Sequence, residues 1–254
     1  VLVIAGLGDR GVTLGGPPGI RYRSKGLFGA LQITVEEQGM ALLEMFQYFT
    51  ELTASRRANP TDDLASTISN ATLDGEPLSD IDTVSYYTII AAAGHDTSSA
   101  AISGGMLALL ENPDQLARLQ NDMSLMPLAV EEMVRWTTPV KEFMRTAQRD
   151  YEIRGTRISA GEAVALSYVS GNRDEEVFDE PFRFDVGRDP NKHIAFGYGV
   201  HFCLGAALAR MESAIALDRM LDFMPHYEVD WDGCKRVNMQ NVAGWSNVPV
   251  RVLR

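Results

Sequence analysis

A cysteine set among closely spaced glycines is the feature that most restricts what this chain can fold into. The stretch reads Phe-Gly-Tyr-Gly-Val-His-Phe-Cys-Leu-Gly over residues 196–205, and an alanine-rich run follows at once over 206–221. Glycine permits backbone with positive φ and a close approach to a flat partner. The run after it predicts a helix, whose positive end favours a thiolate on Cys203. The pattern therefore predicts a loop that presents one sulfur at the start of a helix.

Cys203 has one functional interpretation and two alternatives. Phe196 and Phe202 flank it in the sequence and would shield the sulfur from water, which suits a single thiolate ligand on haem iron. A structural cysteine in a glycine-rich turn is the ordinary alternative. A zinc site of His193, His201 and Cys203 is the other, although the paired-cysteine spacing of most zinc sites is missing.

The composition restricts the class of protein. With 254 residues, 45% of them hydrophobic, the chain suffices for one large or two ordinary domains. The formal net charge of −11 argues against a nucleic-acid-binding protein. Two cysteines far apart in the sequence suggest no disulfide framework and favour a reducing cytoplasm. No run of 18 apolar residues occurs, so we expect no membrane span in this chain.

Residues 1–33 differ in composition from the rest. They hold eight of the 22 glycines, four basic residues and one acid, and the run Gly-Gly-Pro-Pro-Gly over 15–19 prevents regular structure. The segment is either a flexible arm or foreign to the gene. Because the chain also lacks an initiator Met, we expect an N-terminally incomplete protein. We therefore divide the chain into an atypical segment, 1–33, and a folded part, 34–254.

Hydrophobic spacing and turn residues predict mostly helical structure with small sheets in the folded part. Apolar residues at helical spacing include Leu42, Leu43, Phe46, Phe49 and Leu52. The predicted helices cover about 42–58, 62–69, 79–110, 113–119, 125–136 and 206–221. The predicted strands cover 143–147, a hairpin over 151–158, 163–168 and short stretches of the tail.

The helix predicted over 79–110 has a polar centre, Gly-His-Asp-Thr-Ser over 94–98. Each such group needs a partner when it is buried in a helix. We interpret the segment as a turn opened at Gly94 by a hydroxyl that competes for a backbone carbonyl, which makes a groove for dioxygen and a water. Thr97 would hydrogen-bond the oxygen and Asp96 would relay protons. A polar stripe that faces solvent is the alternative.

Three separate motifs resemble those of the cytochrome P450 family. The family's cysteine loop, Phe-Gly-x-Gly-x-His-x-Cys-x-Gly, matches 196–205 at all six named residues. Its oxygen-activating helix, Ala-Gly-x-Asp/Glu-Thr, matches 93–97, and its Glu-x-x-Arg pair matches 132–135. The resemblance covers about 35–254. It implies the C-terminal portion of the P450 fold, mainly α with small β-sheets (α+β).

The resemblance also implies a haem b cofactor with Cys203 as its axial ligand. Arg145 matches the arginine that binds a haem propionate, a role that suits its fork of donors. An exposed strand arginine is the alternative for that residue. His193 and His201 match positions that face the propionates. The cofactor-binding residues implied in this way are Arg145, His193, Phe196, Gly197, Gly199, His201, Cys203 and Gly205.

In the family, the Glu-x-x-Arg pair joins a third residue in the segment before the cysteine loop. Here the pair is Glu132 and Arg135, on one helix face, and Arg183 is our candidate for the third member. Without the resemblance, an ordinary surface ion pair of little energetic value would be the favoured interpretation. Candidate substrate contacts, mainly apolar, are Ile89, Ile90, Ala93, Gly94, Pro139, Val140, Val242 and Ala243.

The activity implied is monooxygenation, RH + O₂ + 2 e⁻ + 2 H⁺ → ROH + H₂O, by a bacterial enzyme of the cytoplasm. Asp96 and Thr97 would be its catalytic residues, and a ferredoxin with an NAD(P)H-dependent reductase would supply electrons. Residues 135–147, 167–168 and 172–178 look most like the terpineol-hydroxylating branch, which predicts a monoterpenoid or another small lipophile. Sterol or fatty-acid hydroxylation is the runner-up. A non-catalytic haem-binding protein and a fragment that binds nothing are the alternatives outside this class.

Overall fold

The computed structural model describes residues 35–253 except 238 and 240. The atypical segment, 1–33, lies outside the described residues. Of the described residues, 35–96 belong to one compact unit and 97–253 to a second. Within these ranges, no helix is long and apolar enough to cross a membrane.

The first unit consists of helices and one short hairpin. Its elements are α1 (Val35–Ala58), α2 (Leu64–Ser69), the antiparallel strands β1 (Thr72–Leu73) and β2 (Glu76–Pro77), and the first part of α3 (Asp80–Glu111). Helix α2 begins after Asp63, whose carboxylate accepts the backbone N–H of Ser66 at 2.6 Å. This is the usual N-cap interaction, and it fixes where the chain turns after α1.

The core of the first unit is small. Phe49 and Tyr87 stack with their ring centroids 5.3 Å apart. The buried members of the cluster are Met45, Phe49, Ile68, Val84 and Tyr87. The apolar stripe predicted on α1 is only partly buried, since Leu42, Leu43 and Phe46 are exposed among the described residues.

The second unit is also mainly helical, with small two-stranded antiparallel sheets. It continues with the rest of α3, then α4 (Pro113–Asn121), α5 (Met126–Thr137), β3 (Glu142–Thr146), β4 (Tyr151–Ile153), β5 (Thr156–Ile158), β6 (Ala163–Ser167), α6 (Tyr168–Gly171), α7 (Ala206–Phe223), β7 (Tyr227–Val229), β8 (Lys235–Arg236), β9 (Trp245–Asn247) and β10 (Val250–Val252). Single 3₁₀ turns occupy Met123–Leu125, Gly199–His201 and Trp231–Gly233. Strand β3 pairs with β6, β4 with β5, β7 with β10, and β8 with β9. The predicted fold class, mainly α with small β-sheets, is confirmed.

Helices α3, α5 and α7 form the core of the second unit. Leu109, Met133 and Leu217, one from each helix, are each at most 1% exposed in a single buried cluster. Gly105 lets α3 approach α5 closely, because a Cβ atom there would lie 2.1 Å from the Met133 Cε. This packing positions α5 and the start of α7, which carry the residues described below.

Helix α3 is continuous through its polar centre. The helix is α-helical from Asp80 to Glu111, so the opening predicted at Gly94 is wrong. Hydroxyls do bond to backbone carbonyls in this helix, from Thr88 to Val84 at 2.9 Å and from Ser103 to Ser99 at 2.7 Å. Such i to i−4 bonds can be accommodated alongside the helical ladder, so they do not require a break.

Candidate functional site

Two glycines with left-handed backbone shape the loop that contains Cys203. Gly197 has φ of 73° and Gly199 has φ of 70°, where a side chain would be strained. The Cys203 N–H donates to the Phe196 carbonyl at 2.8 Å, and the Cys203 carbonyl accepts from the N–H of Ala206 at 3.2 Å. Ala206 is the first residue of α7. The loop therefore places an exposed, free thiol at the start of a helix, as the sequence predicts.

Large apolar side chains are exposed in the cysteine loop and along the helix that follows it. In the loop, Tyr198, Val200 and Leu204 have exposed fractions of 88%, 97% and 76%. Helix α7 adds exposed residues at spacings that place them on one face, namely Leu208, Met211 and Ile215. Exposed apolar surface of this kind marks a place where a partner or a ligand covers the protein. A flat, apolar porphyrin with a thiolate-ligated iron suits this donor and its surroundings.

Phe196 anchors the loop to the core. It packs against a buried cluster of Ala101, Val134 and Ala195, which come from α3, α5 and the segment before the loop. Its ring meets that of Phe202 edge to face, with centroids 6.4 Å apart. Phe202 is itself half exposed, so the shielding predicted for it is incomplete in this arrangement.

Glu131 on α5 binds two cationic or titratable side chains near the loop. It accepts from Arg210 Nε at 2.5 Å and from Arg210 Nη2 at 2.9 Å, and it lies 3.0 Å from His193 Nε2. The Arg210 guanidinium also lies 4.6 Å from the centroid of the Phe196 ring. The other His193 nitrogen, Nδ1, accepts from the Ala195 N–H at 3.3 Å. Both ring nitrogens of His193 thus have partners within the protein. We therefore remove His193 from the predicted propionate contacts and from the zinc alternative.

These contacts change the pKa of Glu131. Partial burial raises the pKa, but hydrogen bonds from His193 and Arg210 and the charge of Arg210 outweigh it and hold the pKa at about 2. Because the folded-state value lies below the ordinary 4.5, the stabilisation is complete above pH 4.5 and is lost as the pH falls toward 2.

We expect Glu131→Gln to lower the free energy of unfolding by roughly 2 kcal/mol at pH 7, because the ionised form loses its partners. Urea unfolding at several pH values from 7 to 3 measures this free energy. The difference in free energy of unfolding between the variant and the wild type should become smaller below about pH 5. Glu175→Gln, at an exposed position without a polar contact in the described structure, is the matched control. A gap that stays constant with pH would contradict the electrostatic origin.

Glu132 and Arg135 form a buried ion pair. Both side chains are fully buried, and two Arg135 nitrogens donate to the two Glu132 oxygens at 2.7 Å. The guanidinium also donates to the carbonyls of Asn172 at 2.8 Å, Pro181 at 2.9 Å and Arg183 at 3.2 Å. The pair therefore joins α5 to the segment before the cysteine loop, and the surface-pair interpretation is wrong.

The third member of this ion pair is Arg188, which corrects the assignment of Arg183. Arg188 Nε donates to a Glu132 oxygen at 3.1 Å, and the Arg188 side chain is 10% exposed. The Arg183 side chain instead pairs with Glu180 at the surface, and only its backbone carbonyl joins the network. Glu132 also accepts the backbone N–H of Asp185 at 2.9 Å. Together with the bonds from Arg135, it ties this segment to α5, and Arg188 on the same segment reaches the buried carboxylate.

Arg145 and His201 remain available for an anionic group. Arg145 lies on β3, and its guanidinium donates to the Met144 carbonyl at 2.9 Å. His201 ends a 3₁₀ turn in the cysteine loop and is exposed. Among the residues that the structure describes, neither side chain has a carboxylate partner. Both therefore fit the predicted propionate contacts.

Four of the predicted substrate contacts meet where two loops pair. Val140 and Val242 form an antiparallel bridge, and the Pro139 carbonyl accepts from the Ala243 N–H at 2.8 Å. Gly244 follows, where a Cβ atom would lie 3.0 Å from the Ala100 Cβ. This glycine brings the paired loops close to α3.

The contact between Gly244 and Ala100 lies close to Thr97 on α3. Ala100 is three positions after Thr97 and hence on the same face of α3. The apolar loops thus flank the helical turn that carries one of the two predicted catalytic residues.

The remaining predicted contacts lie on the part of α3 that belongs to the first unit. Ile89 is 63% exposed, and Ala93 and Gly94 are exposed as well. Ile90 is different, because it packs against the core of its own unit. That packing assigns Ile90 a structural role and corrects its place among the substrate contacts.

Asp96, the other predicted catalytic residue, is hydrogen-bonded to the residue before it. His95 Nδ1 lies 2.8 Å from Asp96 Oδ1, and the His95 side chain is 6% exposed. No role was predicted for His95, although a histidine in the middle of a long helix was a signal in the sequence. None was predicted for Glu131, Arg188 or Arg210 in the site, because their partners are far away in the sequence.

The chain matches the cytochrome P450 family model over residues 35–241. It is 45% identical over 207 residues to cytochrome P450-terp of a Pseudomonas species, which covers 81% of this chain and 48% of the relative. It is 49% identical over 178 residues to a steroid C26-monooxygenase of Mycobacterium tuberculosis, with coverage of 70% and 45%.

Solved structures agree with this match. The crystal structure of CYP108D1 from Novosphingobium aromaticivorans aligns with a TM-score of 0.82 and 47% identity, over 92% of this chain and 57% of that one. CYP268A2 of Mycobacterium marinum, in complex with pseudoionone, aligns with a TM-score of 0.86 and 36% identity, over 91% and 58%. The chain spans about half the length of the curated relatives it matches. On its family match, its motifs and its fold, this chain belongs to the cytochrome P450 family.

Proposed function

We propose that the protein is a haem-thiolate monooxygenase that hydroxylates a small lipophilic substrate, RH + O₂ + 2 e⁻ + 2 H⁺ → ROH + H₂O. The observation that carries this proposal is the exposed Cys203 thiol at the start of α7, in a loop that has two left-handed glycines and exposed apolar side chains. The cofactor of the family is haem b on a cysteine thiolate. When bound, that group supplies the activation of dioxygen.

Different residues of this chain would bind different parts of the haem. Cys203 would hold the iron through its thiolate, and Arg145 and His201 would bind the propionates. Gly197 and Gly199 let the loop backbone come close to a flat ring. Gly205 ends the loop as the residue before α7.

Asp96 and Thr97 would deliver the two protons of the reaction. The Asp96 carboxyl takes up a proton, and the Thr97 hydroxyl passes it to the oxygen atom that leaves as water. The apolar loops beside the Thr97 turn would keep bulk water away and orient the substrate.

Thr97→Ala should uncouple electron consumption from product formation. We expect product per NAD(P)H to fall at least about fivefold and peroxide to rise, because the hydroxyl that passes on the proton is lost. Product, NAD(P)H and peroxide are measured together with a ferredoxin and its reductase. Thr88→Ala removes a hydroxyl of the same helix that bonds to a carbonyl one turn before and serves as the control. Unchanged coupling in Thr97→Ala would overturn this role.

For the substrate, we favour a monoterpenoid. The apolar side chains at Pro139, Val140, Val242 and Ala243 suit a small lipophile, and the similar Pseudomonas protein carries the name P450-terp. A sterol or a fatty acid is the second candidate, since another similar protein is a steroid C26-monooxygenase. Titrating the haem protein with α-terpineol, cholestenone and palmitate separates these classes through the change in Soret absorption. A response to cholestenone or palmitate alone would favour the second candidate.

We further propose that a ferredoxin and an NAD(P)H-dependent ferredoxin reductase supply the electrons, in the cytoplasm. Both cysteines of this chain are free, as a reducing compartment requires. Substrate-dependent NAD(P)H consumption with such a pair tests the proposal. Haem binding without any such consumption would favour the alternative of a non-catalytic haem-binding protein.

A further inference from the structure

His95 is a buried polar residue whose two nitrogens have very different surroundings. Nδ1 lies 2.8 Å from Asp96 Oδ1. Nε2 is buried and has no hydrogen-bond partner among the described residues. A buried polar atom without a partner costs free energy, which an apolar side chain of similar size would avoid. Burying the imidazole at this position thus costs stability, and its one polar contact among the described residues is with Asp96.

That bond restricts the Asp96 carboxyl. Consecutive residues on a helix point about 100° apart, so their side chains meet only if both lean toward each other. His95 is the one polar partner that the described part of the chain shows for Asp96. A neutral imidazole has one donor nitrogen, and an ionised carboxylate requires that donor to be Nδ1. The contact therefore fixes both the histidine tautomer and the orientation of the carboxyl group.

We propose that His95 is the positioning residue for Asp96. Its Nδ1–H holds Oδ1, so that Oδ2 is the oxygen that takes up and releases protons. The inference rests on the proposed function of Asp96 in proton delivery. It adds a residue on which the efficiency of that delivery depends.

Three substitutions separate positioning from simple packing. In His95→Asn the amide nitrogen can take the place of Nδ1, whereas in His95→Gln it takes the place of Nε2. We expect His95→Ala and His95→Gln to lose at least about fivefold in product per NAD(P)H with more peroxide, as for Thr97→Ala. His95→Asn should recover most of the coupling. Thr88→Ala is the control on the same helix.

A spectroscopic measurement tests the contact without relying on turnover. In a ¹⁵N-histidine NMR spectrum, the signals that His95→Asn removes identify His95 among the four histidines of the chain. We expect Nδ1, the nitrogen that lies 2.8 Å from Asp96 Oδ1, to carry a proton. The opposite tautomer, or a His95→Ala variant as well coupled as wild type, would overturn the inference. So would a His95→Asn variant as poorly coupled as His95→Ala.

Failure of the proposed function gives a different result. In that case the wild-type protein would form no product with its redox partners, whatever stands at position 95. The NMR measurement would still decide whether His95 holds Asp96 through Nδ1.

Discussion

Arg135→Met should lower the free energy of unfolding by about 3–5 kcal/mol, a large part of the total stability of an ordinary domain. Methionine fills a similar volume but leaves the fully buried Glu132 without its bidentate partner. It also leaves the Pro181 carbonyl without the Arg135 donor at 2.9 Å, and it leaves the Asn172 carbonyl with only the longer bond from Arg173 at 3.4 Å. Urea unfolding followed by circular dichroism measures the loss.

A pair of nearby arginines provides the control for this prediction. Arg188→Ala should also destabilise the protein strongly, because Arg188 reaches the same buried carboxylate at 3.1 Å. Arg183→Ala should change little, since the Arg183 side chain is exposed and pairs with Glu180 at the surface. Equal effects of the two alanine variants would contradict the network described for Glu132.

Cys203→Ser should abolish the thiolate signature of the haem protein. Serine keeps the size and the loop but is not a thiolate, so the reduced, CO-treated protein should lose the strongly red-shifted Soret band of this family. Monooxygenation should fall below detection, because the electron release of the thiolate favours O–O cleavage. Absorption spectra and product analysis on the same preparation measure both.

The second cysteine is the matched control. Burial and the charge of Asp230 raise the pKa of Cys234, and its thiol donates to the Asp230 carbonyl at 3.5 Å. Cys234→Ser should therefore leave the spectrum unchanged. A Cys203→Ser protein that kept the wild-type spectrum would show that another residue provides the ligand.

Much of the fold was predictable because its signals are local. Asn59-Pro60 and Asn112-Pro113 mark helix boundaries, apolar spacing predicts the helices between them, and glycines at 197 and 199 predict the left-handed turns that the structure contains. The spacing of Glu132 and Arg135 on one helix face predicted that they pair, although only the family resemblance favoured a network over a surface pair. These features depend on residues within a few positions of each other.

The features that the sequence did not predict depend on distant partners. Arg183 and Arg188 lie on one irregular segment, and bonds from that segment to Glu132 and Arg135, both on α5, accompany the inward position of Arg188. His193 matched a propionate position, but Glu131, 62 residues earlier, binds its Nε2. Likewise, Ile90 has the character of a pocket residue, but it is partly buried and packs against the core of the first unit. Tertiary contacts decided each of these cases.

We propose that the Cys203 thiolate would hold the iron of the haem. The most direct measurement is the absorption spectrum of the haem-loaded protein, reduced and treated with CO. We predict a strongly red-shifted Soret band that disappears in Cys203→Ser and persists in Cys234→Ser. A bound haem whose CO band lies at the unshifted position of a histidine-ligated haem would contradict the claim.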